Sequence, residues 1–266
     1  SRWLIGDRDY NRPVMWLEKA DSLGKLTPKG KEVLTKLRKL RDAAMGRDGE
    51  LTQRGALQHK QIAERMLKNF PQIFAGKTNV DAKSTVVIRC ILSMENALQE
   101  MTKMNPQLNI THDASYHDMY YMNYDDTLLF KKRMPTSAMV PYTEFCKNHE
   151  HPERVMRLLF NDDDYWKNHL NADKLYEVLF KQASNVQSTE LRKSMSLYDL
   201  FTDDEIYDLW QINNAWWYIN YGACPLNGGK QPYSQRNLLR KIISDADSCI
   251  ALPHPGATLR YGHDTM

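Results

Sequence analysis

The stretch Ser84–Met94 reads STVVIRCILSM, and its hydrophobic period changes half-way along. Thr85 to Ile88 form a short β-branched run. That predicts a buried parallel strand, because a strand covered on both faces needs no polar alternation. Beyond it, Ile91, Met94, Leu98 and Met101 recur at helical intervals. A strand that hands over directly to a helix is the unit from which α/β proteins are built. Arg89 falls at the hand-over. In open α/β sheets ligands bind beyond the carboxyl ends of strands, beside helix N-termini. A guanidinium there is a planar, permanently charged fork that suits a phosphate. Turned to solvent, the same arginine would make only a surface ion pair.

Working outward, residues 26–46 (LTPKGKEVLTKLRKLRDAAMG) predict a helix with Thr27 as cap, Pro28 in the first turn and Gly46 as stop. Val33, Leu34, Leu37, Leu40 and Ala44 make one apolar stripe. A second helix follows from Leu51 to Phe70, with Ala56, Ala63, Met66, Leu67 and Phe70 on one side. Both open with Leu-Thr-x-x-Gly, an echo too short to be a repeat. Residues 125–233 are rich in Asn, Asp, Tyr and Trp, with helical stretches and few strand candidates. Thr202-Asp203-Asp204-Glu205 has the capping-box form, and CPLNGGKQPYS reads as a loop. A last helix carrying Leu238, Leu239, Ile242 and Ile243 leads into ATLRYGHD. This order predicts an α/β fold, a mostly parallel sheet flanked by helices. Its core would come from 1–124 and 234–266, split by a helical insert at 125–233.

The composition excludes several classes. With 266 residues, 42% hydrophobic and 26% charged, the chain has the make-up of a globular protein. No run approaches the ~18 apolar residues of a membrane-spanning helix. The net charge of +3 arises from 36 basic against 33 acidic residues. Basic clusters such as KLRKLRD alternate with leucines at helical spacing, the pattern of a solvated helix face, so no nucleic-acid partner is expected. Cys90, Cys146, Cys224 and Cys249 lie far apart without a C-x-x-C pair, which argues against a tight zinc site. They allow two bridges in any of three pairings, or free thiols. No signal peptide is present at the front.

Three places could do chemistry. At the end of the last strand, His263 could donate to an anion, and Asp264, turning into the same site, could act as general acid. The dipeptide alone says little, since it recurs at His112-Asp113 and His117-Asp118. Those two pairs, in THDASYHDMYYMNYDD, could in principle ligate a metal, but a five-residue separation fits neither common helical ligand spacing. No metal and no cofactor are therefore expected. Trp216, Trp217, Tyr218 and Tyr221 read as helical packing before they read as a ligand platform.

Taken together these pieces resemble the histidine acid phosphatase branch of the histidine phosphatase superfamily, over roughly 1–110 and 235–266. Leu51, Thr52, Gly55 and Gln58 match its Leu-Thr-x-x-Gly-x-x-Gln helix. Ser84, Thr85, Arg89 and Ser93 match its Ser-Thr-x-x-x-Arg-x-x-x-Ser segment. His263 and Asp264 match its His-Asp motif, and Ser1-Arg2 match the tail of Arg-His-Gly-x-Arg. The resemblance implies the histidine phosphatase fold and hydrolysis of a phosphorylated small molecule through a phosphohistidine. Arg2, Arg89 and His263 would hold the phosphoryl oxygens, and Asp264 would protonate the leaving alcohol. The wording around Arg89 looks closest to bacterial inositol polyphosphate phosphatase-like members, which points to phytate or other multiply phosphorylated inositols. A periplasmic or secreted location is implied in the same way. Lys131, Lys132 and Lys230 could line a mouth for a polyanion, or be solvated surface.

One departure is serious. The nucleophilic histidine, with its arginine and glycine neighbours, would stand immediately before Ser1, and the family continues beyond the position of Met266. Both ends would then fall inside one active site, so the chain as written is expected to be inactive and its parent to be a phosphatase. The rival reading is a non-catalytic phosphate- or inositol-phosphate-binding protein that keeps the cradle without the nucleophile. A phosphoglycerate-mutase-like transferase fits less well, given the long insert and the His-Asp-Thr ending. Oligomeric state is open.

Overall fold

The computed structural model describes residues 3–124 and 126–265. It is an α/β structure in two units. One comprises Leu51–Ser137 and Tyr218–Met266 with the first three residues, and the other Leu4–Glu50 and Ala138–Trp217. The division differs from the one expected from sequence. Leu4–Glu50 belongs to the helical unit, and residues 126–137 and 218–233 belong with the sheet. Composition did not separate them, because the helices of both units carry similar apolar stripes.

The sheet has three parallel strands in the order β2-β1-β3, with β1 at Asn79–Ser84, β2 at Asn109–Asp113 and β3 at Gly256–Tyr261. The central strand is thus NVDAKS, and not the β-branched run that follows it. Thr85 to Val87 form the crossing, and the helix Ile88–Met104 begins where the strand was expected to end. The physical reason is that β1 has only one apolar face. Val80, Ala82 and Ser84 point to the core, and their register partners Ala257, Leu259 and Tyr261 lie on the same face. The helices Gln53–Asn69 and Ile88–Met104 cover it through Ala63, Leu67, Met94, Ala97, Leu98 and Met101.

The opposite face of β1 and β3 is held by ions. Arg260 Nη2 lies 2.9 Å from Asp81 and 3.1 Å from Asp245 of the helix Arg236–Ile250, and Lys83 pairs with Asp118 at 3.0 Å. That helix buries none of its residues, and Leu239, Ile242 and Ile243 are each more than half exposed.

In the helical unit, Val14, Leu17, Val33, Leu34, Leu37 and Leu40 pack with Val155, Leu159, Leu175, Tyr176 and Leu179 in one core. The Leu-Thr-x-x-Gly echo is a local device used once in each unit. Thr27 and Thr52 accept from the Gly30 and Gly55 amides at 2.9 and 3.1 Å, capping their helices. The preceding leucines each make an isolated antiparallel bridge, Leu26 to Phe160 and Leu51 to Trp3. Thr202 and Glu205 form the expected reciprocal box, 2.9 and 3.3 Å.

Candidate functional site

β1 and β3 end together. Ser84 is opposite Tyr261, and the Thr85 amide donates to the Tyr261 carbonyl at 3.0 Å, one rung beyond the named strands. Two residues past β3 comes His263; one residue into the helix after β1 comes Arg89. The strand register therefore brings together two side chains 174 positions apart, with Arg89 Nη2 3.3 Å from His263 Nδ1. Thr85 Oγ1 lies 3.3 Å from the other ring nitrogen. The Cys90 thiol donates to the Gly262 carbonyl at 3.4 Å and sits 3.8 Å from Nδ1.

The helix that delivers Arg89 has no side-chain cap at its N-terminus, where Val87 stands. A helix N-terminus of this kind favours an anion through its dipole. The Trp3 ring lies over the Arg89 guanidinium, 5.2 Å from centroid to Cζ. Ser93 Oγ donates back to the Arg89 carbonyl at 2.7 Å. His263 is partly buried, and its pKa is held below the ordinary value chiefly by that burial. The Arg89 charge adds to the effect and Asp264 opposes it. Asp264 is exposed, in the turn directly after.

The structure thus brings Arg89, His263 and Asp264 to one strand-end locus. Arg2 lies outside the described residues; its neighbour Trp3 reaches the site. Lys131, Lys132 and Lys230 are exposed. His112 is paired with Glu95 at 2.7 Å, and no cluster of three or more metal-ligating side chains occurs among the described residues. All four cysteines are free thiols. Thr85 and Cys90 escaped the reading of the residues as chemistry; only their adjacency to the arginine motif could have pointed to them. His59, whose Nε2 is buried without a partner and whose ring lies 6.1 Å from that of Tyr261, carried no sequence signal. Burial lowers its pKa.

By sequence, no family model and no curated protein matches the chain. By structure, all of it superimposes on Bifidobacterium longum multiple inositol polyphosphate phosphatase. The phosphate complex matches with TM-score 0.79 and 13% identity over 70% of that chain, and the inositol hexasulfate complex with 0.70 over 71%. The fold is that of the histidine acid phosphatases. The D. castellii phytase also matches, with TM-score 0.67, 12% identity and 57% of its chain covered. The α/β architecture expected from the resemblance is the one observed. No helix among the described residues is long and apolar enough to cross a membrane.

Proposed function

We propose that the chain carries the phosphate-binding half of a phosphomonoesterase site, with inositol polyphosphates such as phytate as the substrate class. The observation that carries the reading is the meeting of Arg89 and His263 at 3.3 Å beyond the ends of two paired parallel strands, beside an uncapped helix N-terminus. A planar cation and an imidazole meeting beside a helix N-terminus form an oxyanion cradle. In this reading Arg89 and His263, joined by Arg2, grip the phosphoryl oxygens, and Asp264 gives its proton to the leaving alcohol. The exposure of Asp264 leaves room for a departing group. The shared fold with an inositol polyphosphate phosphatase and a phytase supports the substrate class.

The phosphohistidine route needs a second histidine facing His263 across the phosphorus. Among the described residues the polar contacts around His263 come from Thr85, Arg89 and Cys90, and none of these is a histidine. The chain alone is accordingly proposed to bind phosphate without turning esters over, and this observation also favours the binder reading. A periplasmic or secreted home belongs to the same proposal.

Calorimetry with inorganic phosphate and with inositol hexakisphosphate tests it. Binding by the 266-residue chain, lost in Arg89→Ala and His263→Ala, is expected. Failure of both anions to bind would sink the proposal. Release of phosphate from p-nitrophenyl phosphate that disappears in Asp264→Asn would overturn the claim that the chain is inactive.

A further inference from the structure

We infer that Thr85 is a positioning residue for His263: its hydroxyl accepts from Nε2 and fixes the ring orientation that leaves Nδ1 turned toward the anion. The inference deepens the phosphate reading and depends on it only for what Nδ1 meets.

Thr85 is fully buried, and its own backbone is fixed by the amide bond to Tyr261 at 3.0 Å. Its Oγ1 therefore stands at a set position, 3.3 Å from Nε2. On the far side of the ring, Arg89 Nη2 is 3.3 Å from Nδ1. A guanidinium has donors and no acceptor, so Nδ1 must present its lone pair. A neutral imidazole with a bare Nδ1 carries its hydrogen on Nε2. The Thr85 hydroxyl is then the acceptor. Cys90 does not disturb this assignment, because its thiol hydrogen serves either the Gly262 carbonyl or Nδ1, and both are acceptors. The charged groups facing the ring are Arg89 from the helix and Asp264 from the ring's own turn; Thr85 and Cys90 bring a hydroxyl and a thiol.

The arrangement has a consequence for binding. When an anion draws Arg89 onto its oxygens, Nδ1 loses its donor and becomes the atom that takes up a proton and gives a hydrogen bond to the anion. Anchoring at Nε2 keeps the ring from turning over during that exchange. Valine has the shape of threonine without the oxygen, so Thr85→Val removes the anchor and little else, whereas Thr85→Ser keeps it.

The test is long-range proton–nitrogen correlation NMR on the whole chain with ¹⁵N-labelled histidine, above neutral pH. His263 is assigned by the signal that vanishes in His263→Gln. We expect the Nε2–H tautomer in wild type and in Thr85→Ser. Sulfate, added to the same samples, should bind Thr85→Val about three- to ten-fold more weakly than wild type. A wild-type Nδ1–H tautomer overturns the inference, as does a folded Thr85→Val that binds sulfate as tightly as wild type. Should Thr85→Val not fold, the wild-type and Thr85→Ser tautomers decide it. If sulfate does not bind wild type at all, the phosphate reading has failed, and the tautomer pattern still judges Thr85 on its own.

Discussion

Anion binding at this locus should be tied to one proton, and sulfate is the anion that shows it. Phosphate itself titrates near neutrality, whereas sulfate stays a dianion from pH 5 to 8, so any pH dependence belongs to the protein. In the free protein His263 lies below its ordinary value of 6.5, because burial and Arg89 disfavour the imidazolium. A dianion seated between Arg89 and Nδ1 reverses the balance. Charges roughly 4 Å apart interact by about 4 kcal/mol at an effective dielectric of 20. Screening at a partly exposed ring reduces this to about 1–2 kcal/mol, and about 1.4 kcal/mol is one pKa unit. Bound sulfate should therefore raise the His263 pKa. Sulfate affinity should rise about ten-fold as pH falls through that window, with no more than one proton taken up per anion.

The same shifts fix the sign of the stability effect. Without anion, the unfolded chain protonates its histidine before the folded one does. His263 therefore costs the fold stability as pH falls through 6.5 toward the depressed folded value. With anion bound the folded value moves up, so the same fall in pH costs the complex less than it costs the free fold. Melting curves with and without sulfate should diverge as the pH is lowered from 8 to 5. Calorimetry across that range, on wild type and His263→Gln, gives the affinities. A flat wild-type profile, or an equal slope in His263→Gln, would refute the reasoning.

Other substitutions probe separate links. Arg89→Lys keeps the charge but loses the fork and the flat face under Trp3, so sulfate binding should weaken about ten-fold at unchanged melting temperature. A wild-type affinity there would deny Arg89 a bidentate role. Gly30→Ala places a methyl 2.2 Å from the Leu159 carbonyl oxygen and should destabilise the helical unit by at least ~1–3 kcal/mol, read by urea unfolding. Thr52→Ala removes the cap on Gln53–Asn69 and should cost ~1 kcal/mol by the same measurement.

The site was more legible in the sequence than the strand that builds it. Arg89 and His263 were placed by their position after elements, and a strand one turn out of place still leaves them at its carboxyl end. The strand itself was misread because Val86, Val87 and Ile88 look like a buried core run. They occupy a crossing and a helix start, and Ile88 is largely exposed. The real strand hides its polar residues in tertiary partners: Asp81 and Lys83 are good strand residues only because Arg260 and Asp118 meet them. Pairings of that kind span 35 to 179 positions and leave no local trace. Capping signals, by contrast, act within three residues: Thr27 and Thr202 behave as written, and Thr52 repeats the Thr27 cap without having been read as one.

The register of β1 against β3 is what turns two distant motifs into one locus. A shift of that pairing by one residue would carry Tyr261 off the apolar face and put Arg260 onto it. The ion pairs of Arg260 with Asp81 and Asp245 on one face, and the burial of Ala257, Leu259 and Tyr261 on the other, oppose such a shift together. Holding Tyr261 opposite Ser84 also holds Thr85 against its carbonyl and His263 against Thr85. Arg260 thus serves the candidate site without touching it, by fixing the strand end from which His263 departs.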